Sequence, residues 1–416
     1  MASIKDYLTN KDRIVLVGPN SQGKTYALEE LSKDNDVKNN SIIVWSEIKA
    51  DENLKNSADS TTLITWLNKL IDMTDLKELI DEKINTLDFS SINDNNNINV
   101  SLKNEIKSYK GLIGADITTT SNRWSKPGAG ERFLGTLYII SKILEDNDAD
   151  IYKYLIMDEP ERHLHPSLYI KMATILNKIS KQGIKVIIST HSPIIVQYFT
   201  ENTDEVIKMN DGNKIQLPDK QSFFEMYQQF NIYTEDVYKY SSFRKVENSL
   251  PLYFEKFIIP LIYDSLFCKT VIISEGYAEK EILELLFEKY RTDDSLNNLH
   301  AMVVYGKCFM PWIIVALKRI GFKVISIYDQ DNLSDNKNLN LNSIIESESD
   351  ITKPIVNNIE NLLGLININD KVKRLTIEIR SMYLNNDIAL IGLLEEIKNL
   401  IDTDTVILEE NVETTD

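Results

Sequence analysis

The sequence predicts an α/β protein of two successive units, each built on buried parallel strands. Short apolar runs recur at Arg13 to Val17, Ile42 to Trp45, Tyr154 to Met157 and Lys185 to Ser189, separated by longer helical or polar segments. A second alternation begins at Thr270. Short apolar runs bounded by polar loops are typical of strands covered on both faces, and their alternation with helices is typical of βαβ units. The 416 residues, 43% of them hydrophobic, suffice for two cores, since one domain usually holds about 100–200 residues.

The first strand leads into Gly18-Pro19-Asn20-Ser21-Gln22-Gly23-Lys24-Thr25 and then a helical pattern. This is the spacing of a phosphate-binding loop in its strand-to-helix setting. The glycines let backbone N–H groups turn toward phosphates, Lys24 brings a point charge to the terminal phosphates, and Thr25 offers a hydroxyl to Mg²⁺. Gly18, Asn20, Gly23, Lys24 and Thr25 are therefore expected to bind a nucleoside triphosphate.

Asp88 to Asn104, rich in Asn, Ser and Ile, reads as a surface insertion. Next, Pro127-Gly128-Ala129-Gly130-Glu131-Arg132 opens the helical pattern Phe133 to Leu144, where glycines at a helix start expose N–H groups to an anion. The strand Tyr154 to Met157 then ends in Asp158 and Glu159. Asp158 is expected to hold Mg²⁺ and Glu159 to polarise the attacking water. The strand Lys185 to Ser189 leads to Thr190-His191-Ser192-Pro193, with His191 placed to sense the terminal phosphate.

An aromatic-rich helical stretch, Asp219 to Tyr263, reads as a connector or dimer contact. Beyond it come the apolar run Val271 to Ile273, a helix Glu279 to Tyr290, the apolar run Met302 to Val304, a helix Met310 to Ile320 and the run Lys323 to Tyr328. Glu275 follows the first of these strands, and Asp329 and Asp331 follow the last. Ligands of open α/β sheets bind at the carboxyl ends of the strands, so these carboxylates are expected to converge on one or two hard cations, Mg²⁺ or Mn²⁺. Two such ions can stabilise the attacking and leaving oxygens of a phosphodiester displacement. The tail after Val406 is acidic, with Glu409, Glu410, Glu413 and Asp416.

The net charge of −17 opposes nucleic-acid binding by the surface as a whole, so such a partner needs a local basic patch. Lys318, Arg319 and Lys323 form one basic cluster, and Lys371, Lys373, Arg374 and Arg380 another; each also reads as an ordinary solvated helix face. Cys268 and Cys308 are too few for a disulfide framework, which favours a reducing compartment. The four histidines are too scattered for a zinc centre. The longest apolar runs, such as Phe257 to Leu261, fall short of the roughly 18 residues that cross a bilayer, and a cytoplasmic protein without a membrane partner is expected.

The element order of the first half, with the string Asp158-Glu159-Pro160-Glu161-Arg162-His163-Leu164-His165-Pro166, resembles the ATP-binding-cassette heads of the structural-maintenance and OLD (overcoming lysogenisation defect) families. The resemblance implies an ABC-type P-loop ATPase in which two heads sandwich ATP. Gly128, Gly130 and Glu131 would then act on the nucleotide of a partner subunit in a homodimer or larger assembly. Gly128 stands where the family's signature serine is usual.

The Glu-Gly turn at Glu275 and the Asp-x-Asp at Asp329 look like a Toprim domain. The run Ser265 to Glu279, together with Gly306-Lys307, resembles the OLD Toprim in particular, although Tyr305 stands where a second glycine is usual. That resemblance adds Glu279 and, in Asn358 to Leu363, Glu360 to the metal ligands. It also implies a later catalytic lysine, Lys371 or Lys373, able to stabilise charge on the scissile phosphate.

The expected organisation is an ATPase domain at 1–215, a helical connector at 216–265, a Rossmann-like Toprim domain at 266–402 and an acidic tail at 403–416. The resemblance implies an ATP-regulated, metal-dependent endonuclease acting on nucleic acid, with DNA favoured. It further implies a role in bacterial anti-phage defence, beside a partner protein or a reverse transcriptase with its DNA product. The alternative is a nucleotide-switched sensor or scaffold that recruits another effector. A transporter's ATPase subunit leaves the second acidic set unexplained.

Overall fold

The computed structural model describes residues 4–44, 133–134, 137–138, 140–141, 144, 153–162, 164–211, 213–229, 252, 254–304, 306–330, 336–355, 358–365 and 371–412. Chain packing divides it into two units, Met1–Leu217 and Pro218–Asp416.

The first unit holds a six-stranded sheet: β1 (Arg13–Val17), β2 (Ser41–Val44), β3 (Tyr154–Asp158), β4 (Lys185–Ser189), β5 (Val206–Asn210) and β6 (Asn213–Gln216), in the order β2-β3-β4-β1-β5-β6. All neighbours are parallel except β5 and β6, which form an antiparallel hairpin. Every residue of β1 and β3 is buried, as expected for central strands covered on both faces. The helices Lys24–Lys33 and Tyr169–Lys181 contribute apolar stripes, with Leu28 and Leu31 on the first and Met172, Ile175, Leu176 and Ile179 on the second, all buried. The described residues among 133–144 are helical, with Leu134, Leu137 and Ile140 fully buried.

The hairpin β5-β6 and the register of β5 against β1 go beyond the four strands expected from the apolar runs. Its signal lies in Asn210-Asp211-Gly212-Asn213, since Asp-Gly is a strong two-residue turn, and Asp211 has φ 47.

In the second unit, β7 (Thr270–Ser274), β8 (Leu299–Val303), β9 (Lys323–Asp329) and β10 (Ile351–Ile355) form a fully parallel sheet in the order β10-β9-β7-β8. The helices Tyr277–Lys289 and Met310–Arg319 cross over between strands. The chain runs from β7 to one side, then returns to the other side of β7 to lay down β9. That reversal opens a crevice at the carboxyl ends of β7 and β9. β10 escapes the apolar pattern because Thr352, Lys353 and Pro354 occupy its middle; a proline is tolerated there because β10 is an edge strand.

Of the aromatic stretch expected as a connector, Lys220–Gln229 is an α-helix and Phe254–Ile258 a π-helical turn leading into Ile259–Ser265. Phe223 is buried, and its carbonyl accepts a hydrogen bond from Trp312 Nε1 at 3.3 Å. The first of these helices is therefore fastened to the core of the second unit. The closing helix, Ile388–Val412, continues through the segment where the acidic tail begins.

Candidate functional site

At the carboxyl ends of β1, β3 and β4 the described residues build a phosphate-type loop. Gly18 has φ +140, and a Cβ there would lie 2.4 Å from the Met209 carbonyl oxygen on β5. Only glycine allows this approach. Gln22 accepts a hydrogen bond from the Asp211 N–H, tying the loop to the β5-β6 hairpin. Gly23, with φ +86, precedes the helix Lys24–Lys33 and gives it no side-chain cap, so the helix opens on its own backbone N–H groups, a setting suited to an anion. Asn20 is exposed on the loop.

Lys24 is buried, and its Nζ donates to the carbonyls of Gly18 at 2.8 Å and Pro19 at 2.9 Å. Burial pushes its pKa down to about 8, against the opposing pull of Glu159 and Asp158. Thr25 Oγ1 lies 3.2 Å from both oxygens of Asp158, and Ser189 Oγ donates to Asp158 Oδ1 at 2.5 Å. The hydroxyl and carboxylate expected to share a cation thus already face one another, and the oxygen-only donor set suits Mg²⁺.

Glu159 takes a left-handed turn, φ 45, immediately after β3. Its N–H donates to Ser189, and its Oε1 lies 3.1 Å from His191 Nε2. Burial and the nearby Lys24 charge hold the His191 pKa below its ordinary value, which favours the neutral ring. Glu161 is not among the site residues expected from the sequence. It is buried, its Oε1 accepts from Thr190 Oγ1 at 2.6 Å and from the His191 N–H at 2.7 Å, and burial pushes its pKa up. Its signal is present in Asp158-Glu159-Pro160-Glu161, a third carboxylate beyond the expected pair. Gly128, Gly130 and Glu131 lie outside the described residues.

The crevice between β7 and β9 holds a second site. Glu275, Glu279 and Asp329 each present a carboxylate oxygen, and these atoms all lie within 4.8 Å of one another. Glu275 follows β7 directly, Glu279 lies in the first turn of the helix Tyr277–Lys289, and Asp329 ends β9. Glu279 is nine-tenths buried and spends one oxygen capping its helix, with Gly276 N–H donating to Oε2 at 3.1 Å. A carboxylate has two oxygens, so the cap and a ligand role are compatible. Three clustered carboxylates with only oxygen donors fit a hard divalent cation.

Asp329 is also held from the far side, its Oδ1 accepting the Ile359 N–H at 3.1 Å. Glu360 is the next residue along that short helix, yet it is not part of the three-carboxylate group. Asp331 lies outside the described residues. Lys371 and Lys373 sit in the first turn of the helix Lys371–Leu384, and the described side chains do not include theirs. Among the described residues Lys307 reaches this site, its Nζ donating to the Asp329 carbonyl. Its sequence signal is the turn Gly306-Lys307, where Gly306 has φ 154 and its N–H donates to the Glu275 carbonyl at 3.1 Å.

The two basic clusters are partly committed to neighbouring acids. Lys318 pairs with Asp350 at 3.3 Å, and Arg380 pairs with Glu281, Glu284 and Glu288. Among the described residues no helix is long and apolar enough to cross a membrane.

Residues 134–197 match a family profile described as "AAA domain, putative AbiEii toxin, Type IV TA system". Residues 266–331 match one described as "Overcoming lysogenization defect protein-like, TOPRIM domain". The chain is also similar to the Old nuclease of Escherichia phage P2, 25% identical over 183 residues. That stretch covers 44% of this chain and 28% of the phage protein.

Proposed function

We propose that this chain, whose residues 134–197 match an AAA-type ATPase profile and 266–331 an OLD-like Toprim profile, is a nucleotide-gated, divalent-metal-dependent nuclease of the OLD type. The observation that carries this reading is the meeting of Glu275, Glu279 and Asp329 within 4.8 Å at the reversal point of the second sheet. A divalent cation bound there supplies Lewis-acid charge to a phosphodiester. Glu275, Glu279 and Asp329 hold it, and Asp331 and Glu360 complete the acidic set. Lys371 or Lys373 meets the negative charge of the scissile phosphate.

In the ATPase domain, Gly18 to Thr25 bind the triphosphate of ATP, with Thr25 and Asp158 for Mg²⁺. Glu159 orients the attacking water, and His191 reads the terminal phosphate from its position on Glu159. The role of Gly128, Gly130 and Glu131 is to complete this site in a second subunit, which makes ATP a clamp between heads. The substrate is nucleic acid, DNA in the first instance, and the setting is cytoplasmic anti-phage defence beside a protein partner or a reverse transcriptase with its DNA product.

The deciding experiment incubates the purified chain with plasmid, linear DNA and RNA, in Mg²⁺ or Mn²⁺, with and without ATP. Cleavage that disappears in Asp329→Ala supports the nuclease. No cleavage under any of these conditions, or cleavage unchanged in Asp329→Ala, refutes it.

A further inference from the structure

We propose that Lys307 and Asn342 are positioning residues that hold the backbone at the tip of β9, so that the Asp329 carboxylate stays in register with Glu275 and Glu279. The inference rests on reading those three carboxylates as a divalent-cation site. Its basis is the way four hydrogen-bonding groups of a two-residue segment are held. The Asp329 carbonyl accepts from Lys307 Nζ, and its Oδ1 accepts from the Ile359 N–H at 3.1 Å. The Gln330 N–H donates to the Ile355 carbonyl at 2.9 Å, and the Gln330 carbonyl accepts from Asn342 Nδ2 at 3.0 Å. Four different elements grip the segment: the turn after β8, the helix Asn336–Glu348, strand β10 and the helix Ile359–Leu362.

Two of those grips come from side chains whose burial needs a reason. Lys307 is 6% exposed and Asn342 is 5% exposed. A buried ammonium or amide is costly unless its hydrogen bonds are made. Lys307 donates to a main-chain carbonyl and lies 5.4 Å from the centroid of the Tyr328 ring, itself fully buried. Clustered carboxylates repel one another, which drives the tip of β9 away from Glu275 and Glu279. A cation on the Asp329 carbonyl and an amide on the next one oppose that drift through the main chain. Partners that orient metal ligands in this way typically tune affinity by about 10–100-fold.

The test is Mn²⁺ binding to the full-length chain, without nucleotide or nucleic acid, followed by the electron paramagnetic resonance of free Mn²⁺. Lys307→Met and Asn342→Ala should each weaken binding about tenfold, and Lys307→Arg, which keeps a charged donor, should restore most of the loss. Lys289→Met, which removes a half-buried partner of the exposed Glu395, should bind as the unaltered protein does. In plasmid cleavage the Mn²⁺ concentration for half-maximal rate should rise by the same factor, with the maximal rate recovered at saturating Mn²⁺. Unaltered Mn²⁺ affinity in both variants, with thermal midpoints retained, overturns the positioning role while leaving the cation site standing. Absence of Mn²⁺ binding by the unaltered protein overturns the cation site itself, and the positioning role with it.

Discussion

Glu161 holds His191 by its backbone, the His191 N–H donating to Glu161 Oε1 at 2.7 Å. The same oxygen accepts the Thr190 hydroxyl at 2.6 Å, so one buried carboxylate fastens the loop after β4 to the turn after β3. His191 in turn places Nε2 on Glu159. The tip of β3 and the residue expected to sense phosphate therefore move as a unit.

Replacing Glu161 by alanine strands a buried hydroxyl and a part-buried N–H together. The expected cost is about 1–3 kcal/mol for each group left without a partner, read as a lower denaturation midpoint, with a fall in ATP turnover. Glu161→Gln keeps an acceptor and should lose much less. Equal stability losses in the two variants would show that the two hydrogen bonds are not what matters.

Glu159→Gln should separate binding from hydrolysis. The loop around Lys24 and Thr25 is untouched, so a fluorescent ATP analogue should bind as before. Phosphate release should fall about 10²–10⁴-fold, the usual contribution of a positioned base. If cleavage of DNA by Glu159→Gln and by Lys24→Ala matches that of the unaltered protein both with and without ATP, the two domains are not coupled.

Gly18→Ala and Gly23→Ala should differ in severity. Both glycines have positive φ, but a Cβ on Gly18 meets the Met209 carbonyl at 2.4 Å, whereas a Cβ on Gly23 meets nothing within 4 Å. Backbone strain alone costs about 1–3 kcal/mol, and Gly18→Ala adds a collision with β5. Differential scanning calorimetry should rank Gly18→Ala as the less stable of the two; the reverse order would contradict the close approach.

Glu279→Gln should lose metal-dependent cleavage while keeping its helix cap, because an amide oxygen still accepts the Gly276 N–H. Glu279→Ala loses both, with an added stability cost of about 1 kcal/mol. A Glu279→Gln variant with full cleavage in Mg²⁺ would remove this residue from the site.

The pH dependence of stability should report Glu201. Its hydrogen bond to Arg13 leads the causes that hold its pKa near 2, against an ordinary 4.5. A depressed carboxylate stabilises the fold above about pH 4.5, and that contribution is lost as pH falls toward 2. The thermal midpoint of Glu201→Gln should therefore decline less steeply across this window than that of the unaltered protein. Identical slopes would mean the ion pair does not form in solution.

What the sequence determined by itself is local chemistry. Gly18 to Thr25 spell a tight loop between strand and helix, and Glu275, Asp158 and Asp329 stand at strand ends because apolar runs stop there. β5, β6 and β10 escaped because Lys208 breaks the apolar run of β5, β6 is largely polar and Pro354 interrupts β10. Tertiary structure alone decided which strand ends became neighbours. The order β10-β9-β7-β8 brings Asp329 beside Glu275 and Glu279, and β3 beside β4 brings Ser189 and Asp158 within hydrogen-bonding reach. Strand order is a property of crossovers and core packing, not of any short stretch of residues. For the same reason Asn342 is an ordinary polar residue in the sequence, and Lys307 and Glu161, though they stand in recognisable turns, acquire their tasks only when the loops close around them.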